Sequence, residues 1–127
     1  MIKSHNPLET PVSLPPLIAS LVEAINTFDV ERLMTTFAED ALVNDQLRDY
    51  WGWPAIKEWA ERNIVGERLT MKVTKVANHY GNFIVTADVD GNYDQRGLPD
   101  PLVHVFYCTA HGNLIVQLII LRNRGQI

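Results

Sequence analysis

The hydrophobic period of this chain changes once, near Gly66, and that change sets the fold class. Before it, Leu17, Ile18, Leu21, Val22, Ile25 and Phe28 recur at helical spacing. Ser13 is placed to cap this first helix, with Pro15 and Pro16 in the first turn, where a missing N–H costs little. Asp29 restarts the chain as the N-cap of a short second helix whose apolar face is Val30, Leu33, Met34 and Phe37. Pro54 suits the start of a third, with Ile56, Trp59, Ala60 and Ile64 on one side and Lys57, Glu58, Glu61 and Arg62 largely on the other; Gly66 closes it. Beyond Gly66 the pattern becomes that of strands at 69–77, 83–90, 102–110 and 114–121. In the second of these Phe83, Val85, Ala87 and Val89 alternate with Thr86, Asp88 and Asp90. A short extended piece is expected at 41–44. Helices followed by an antiparallel meander predict an α+β fold, with three helices on one face of a curved sheet.

Length and charge narrow the class. The 127 residues suit one domain, expected over 14–127 behind an extended arm at 1–13 that carries Pro7 and Pro11. A net charge of −4 without a basic run lacks the electrostatic footprint of a nucleic-acid binder and gives no attraction to an anionic membrane surface. No run approaches the ~18 apolar residues of a membrane span. Cys108 is the single cysteine, so the chain forms no internal disulfide and no cysteine-based zinc site, which fits a reducing cytoplasm. His5, His79, His104 and His111 lack metal-ligand spacing, and Asp88, Asp90 and Asp94 do not follow a calcium-loop pattern. Neither a phosphate-cradling glycine loop nor a nucleophile elbow is present, so no metal and no organic cofactor is expected.

The segment 37–45 (FAEDALVND), followed by 50–59 (YWGWPAIKEW), carries the functional signal. It places a carboxylate, Asp45, where a strand ends at the mouth of whatever the helices and later strands enclose. A carboxylate held against apolar surface is suited to proton transfer, because burial disfavours its ionised form. Asp45 could equally serve a turn, since Asn-Asp pairs bond local backbone. His104 lies between Val103 and Val105 on a strand face shared with Phe106 and Cys108; it is either a satisfied core histidine or a pocket group. Gln117 is the one polar side chain in a strongly apolar strand, assigned to the face of Ile115, Ile119 and Leu121, and a buried amide needs a partner. Phe37 and Trp59 would wall a pocket, Asn44 would steady Asp45, and Tyr50, with Trp51 and Trp53, would rim the entrance or pack beneath the third helix. The last strand is apolar on both faces, so the outer sheet face should also be covered, most economically by a second copy.

With these motifs in this order, residues 14–122 resemble the nuclear transport factor 2-like superfamily, and within it the SnoaL-like polyketide cyclase and ketosteroid isomerase branch. The resemblance implies a cone-shaped α+β barrel with an apolar cavity, commonly homodimeric through the outer sheet face. By position it assigns Asp45 as general base and His104 to the place of an oxyanion-donating aspartate. The chain departs from the isomerase pattern at Leu21, which falls where that enzyme keeps a donor tyrosine. One such donor is commonly worth ~3 kcal/mol, so steroid isomerisation by the same mechanism is disfavoured. The expected activity is an isomerase, cyclase or lyase step on a small hydrophobic carbonyl compound. Asp45 would be the acid/base, His104 the donor or second acid/base, and Gln117 an orienter. The alternatives are a binding module that holds an apolar ligand without turnover, and a dimeric protein-interaction module.

Overall fold

A computed structural model describes residues 12–123; most of the arm expected at 1–13 lies outside them. Helix α1 spans Pro16–Asn26, α2 Val30–Thr35 and α3 Gly52–Trp59. The strands are β1 Phe37–Asp45, β2 Arg48–Trp51, β3 Thr70–His79, β4 Asn82–Asp90, β5 Leu102–His111 and β6 Leu114–Arg122. The three helices pack against one six-stranded sheet of order β2-β1-β6-β5-β4-β3, antiparallel except for β1 with β6. This is the expected α+β fold.

Ser13 does not cap α1. A residue before proline is pushed to extended backbone, so Pro15 (ψ 148°) cannot join the helix, which begins at Pro16. The helix ends in a Schellman arrangement with phenylalanine in the left-handed position. Phe28 (φ 57°) donates its N–H to Ile25 O, and Asp29 N donates to Ala24 O at 2.9 Å. Asp29 then caps α2 as expected, its side chain accepting from Arg32 N at 3.0 Å. At the far edge of the sheet, Asn26 bonds both ways with the backbone of Met71, at 2.9 and 2.8 Å, and ties α1 to β3. At the other edge α3 lies on β1 and β2. The helices thus join the two edges of the sheet across its inner face, where Ile18, Leu21, Ile25, Ile56, Ile115 and Leu118 are fully buried.

Two expectations at the first hairpin are corrected. Phe37 opens β1 rather than completing the face of α2, and the loop expected after Asp45 contains β2. The hairpin turns through two residues, Gln46 (φ 53°) and Leu47 (φ 73°), both left-handed and neither glycine or asparagine. Asn44 holds the turn: its Oδ1 accepts from Leu47 N at 3.2 Å and its Nδ2 donates to Asp49 at 2.6 Å.

Candidate active site

Three neighbouring strands run from apolar to polar along the inner face in the same direction. On β1 the row is Ala41, Val43, Asp45; on β6 it is Leu118, Ile120, Arg122; on β5 it is Cys108, Phe106, His104. Register places Val43 beside Leu118 and Cys108, Asp45 beside Ile120 and Phe106, and Arg122 beside His104. The same end of the sheet is approached by the last turns of the third helix. After Trp59 the helix widens to π-type bonding over Ala60–Val65, and Gly66 N reaches back to Glu61 O at 2.9 Å. Gly66 ends the helix as expected, though through close approach rather than a left-handed backbone. Its φ is −60°, and a Cβ there would meet Arg62 O at 2.5 Å.

The result is a pocket of about 330 Å³. Trp59, Phe106 and Ile120 form its apolar wall, and Asp45, Glu67, His104 and Arg122 its ionisable wall. Tyr93 and Leu98 reach it from the β4–β5 loop, and Tyr93 is held by donating its hydroxyl to Val89 O at 3.2 Å. A wider groove of about 610 Å³ shares Tyr93, Leu98 and Leu102 but contains none of Asp45, Trp59 or His104. The smaller pocket is therefore the one that gathers residues singled out from sequence. Asn63, in its wall, keeps Oδ1 buried without a hydrogen-bond partner among the described residues.

Asp45 is oriented by a bond across the pocket floor. The fully buried Trp59 donates Nε1–H to Asp45 Oδ2 at 3.0 Å, and Tyr50 packs at a tilt on the Trp59 ring with 6.4 Å between centroids. A charge-assisted bond of this kind fixes one oxygen and leaves the other to the pocket. Glu67 is shifted toward its protonated form, first by desolvation and then by the charge of Asp45. His104 is shifted toward the neutral imidazole: burial dominates, Asp45 opposes it, and Arg122 adds to it. A neutral imidazole offers one N–H donor and one acceptor nitrogen. Burial alone pushes the Cys108 thiol up to about 12, in keeping with a core residue.

Of the residues singled out from sequence, Asp45, His104 and Trp59 meet in this pocket. Four do not line it. Phe37 is packed in the core, and Tyr50 acts behind Trp59. Asn44 points to the opposite face from Asp45 and serves the turn instead. Gln117 lies on the outer face with Ile119 and Leu121, opposite Thr109. A bulge at Thr109/Ala110 places Val116 as the extra residue of β6, so Ile115 and Leu118 are both core although three residues apart. Counting by twos from Ile115 puts Gln117 on the wrong face; counting from Leu118 leads to Ile120 and Arg122. Glu67, Asn63, Tyr93 and Arg122 escape sequence reasoning, and for Arg122 the bulge-corrected count is the signal that finds it.

Neither a protein-family model nor a curated protein matches the sequence. Solved structures do. A proposed polyketide cyclase from Sinorhizobium meliloti superposes with a TM-score of 0.77 at 24% identity, over 85% of this chain and 95% of that one. A hypothetical protein of ketosteroid isomerase-like fold from Catenulispora acidiphila, in complex with trimethylamine, gives 0.73 at 19% identity, over 86% of each chain. TerC, co-crystallised with polyporic acid, gives 0.71 at 12% identity, over 84% of this chain and 88% of that one. No helix among the described residues is long and apolar enough to cross a membrane. The chain therefore has the nuclear transport factor 2-like fold, shared with ketosteroid isomerase-like and polyketide cyclase proteins.

Proposed function

We propose that the pocket binds a small carbonyl compound and moves a proton within it, as an isomerase, cyclase or lyase step requires. The supporting observation is the inward-facing Asp45 carboxylate, clamped by Trp59 Nε1–H at 3.0 Å in a pocket that also presents His104 and Glu67. In this reading the unclamped oxygen of Asp45 removes a proton next to the carbonyl. His104, neutral, donates its N–H to the oxygen on which negative charge develops. Glu67, biased toward its acid form by burial and by Asp45, returns a proton at a second position. That two proteins of this fold hold small organic molecules supports a ligand-binding interior.

The test is hydrogen–deuterium exchange at the α-carbon of a panel of cyclic ketones, followed by NMR. Asp45→Asn should slow enzyme-dependent exchange about 100-fold or more, the usual contribution of a positioned base. Equal exchange in wild type and Asp45→Asn, or none above buffer in wild type, contradicts the catalytic reading and leaves a binding module.

We also propose a homodimer through the outer sheet face. Val103, Val105, Tyr107, Ile119 and Leu121 form a charge-free row there, each half-buried or exposed in the single chain. Light scattering should give twice the monomer mass, and Val105→Glu should halve it; a monomeric wild type sinks the idea.

A further inference from the structure

We infer that the substrate of this pocket is an anion, a small carboxylate-bearing carbonyl compound anchored by Arg122. The inference rests on the proton-transfer reading of the pocket and specifies the substrate class that the reading leaves open.

Among the described residues, Arg32, Arg62 and Arg96 each hold an acidic partner, Glu23, Glu58 and Asp94, Arg68 stacks on Phe28 at 4.0 Å from the ring centroid, and Arg48 has no ion pair but is exposed to solvent. Arg122 is half-buried, lines the pocket, and has no salt bridge among the described residues, although Asp45 and Glu67 line the same pocket. Its charge nevertheless reaches the interior, since it disfavours protonation of His104, its neighbour in register on β5. A half-buried guanidinium without an acidic partner is open to a ligand, and its planar fork matches a carboxylate bidentately. A purely apolar guest would leave the guanidinium without a partner.

The arrangement also orients such a guest. The Asp45 carboxylate repels an anionic group, and Arg122 attracts it. The carboxylate therefore settles on the β5–β6 end, beside His104, and the uncharged carbon skeleton is turned toward Trp59 and the Asp45 carboxylate. A cation would be drawn the other way, onto Asp45, and would block the base. An aryl or short-chain keto acid meets these demands within about 330 Å³.

The experiment compares 2-naphthoate with its neutral isostere 2-naphthamide. Affinity is measured by calorimetry, and site occupancy is read from the NMR shift of the Trp59 indole N–H. Wild type should bind the carboxylate at least about tenfold more tightly than the amide, as expected for hydrogen bonds to a charged group. Arg122→Gln should abolish that preference, Arg122→Lys should retain part of it, and Asp45→Asn should tighten carboxylate binding by removing repulsion. Thermal melts confirm that each variant is folded, and the wild-type comparison needs no variant. Equal affinity for the two probes, or a preference unchanged in Arg122→Gln, overturns the anion inference alone. If neither probe moves the Trp59 signal, the inference and the ligand-holding reading beneath it fall together.

Discussion

The two ends of the inner sheet face differ in kind. At one, Val43, Leu118, Cys108 and Ile115 meet Ile18, Leu21 and Ile25 of α1 among fully buried, apolar side chains. At the other, two to four residues further along the same strands, the inward positions are Asp45, Arg122 and His104. The first end follows the rules of a core, where volume and shape decide stability. The second breaks them on three strands at once, and also carries a π-type helical stretch and a turn held in the left-handed region. Departures of this kind cost stability and persist where they serve another purpose. Core and pocket are thus divided along the strands, with the apolar end holding the ionisable side chains of the other in place.

The contrast is most sharply tested by truncation. Leu118→Ala, at a residue with no exposure, should destabilise by about 3 kcal/mol from lost burial and the cavity left behind. Arg122→Gln, two alternations away on the same face, should shift stability by less than about 0.5 kcal/mol, because no interaction holding the fold is removed. Urea unfolding measures both; comparable losses would show that the two ends are not distinct.

A smaller effect concerns protons. The folded state holds His104 below its ordinary 6.5, so its contribution to stability is full above that value and is lost as pH falls through the folded pKa. Glu67 is held above its ordinary 4.5, so its contribution is present below that value and is lost as pH rises through the raised pKa. The stability difference between wild type and His104→Gln should therefore move against wild type on going from about pH 7 to about pH 5. For Glu67→Gln it should move against wild type as pH rises from about 4 to about 7. Parallel stability curves for a variant and wild type would show that its residue does not sense the pocket.

Much of the fold is legible in the sequence because period and burial agree. The faces of α1 and α3, and the alternation in β4, are where the residues place them. The site is only half legible, for specific reasons. Asp45 and His104 could be found because one ends an apolar strand and the other interrupts one. Strand β2 was hidden because the Gln46-Leu47 turn lacks the Asn-Gly chemistry that marks two-residue hairpins. Gln117 reads as inward-facing and Arg122 goes unnoticed because one bulged residue, Val116, flips the side-chain count along β6. Glu67 follows a helix-ending glycine and reads as a solvated turn residue; only the tertiary approach of β1 to the end of the helix brings it to Asp45.

A local effect is expected in the Gln46-Leu47 turn between β1 and β2. Leu47 is 82% exposed and left-handed, so Leu47→Gly removes backbone strain at little cost in burial. It should stabilise the protein by about 1 kcal/mol, read as a higher unfolding midpoint. A destabilised variant would mean that the turn is held by contacts of the Leu47 side chain.

Every role proposed for the pocket depends on Asp45 pointing inward and being gripped by the Trp59 indole. Solvent exchange of the Trp59 indole N–H, followed by NMR in wild type and in Asp45→Ala, tests this directly. A proton protected from solvent and shifted downfield in wild type, and losing both properties in the variant, is the predicted result. An indole proton that exchanges as freely in wild type as in the variant would contradict the account.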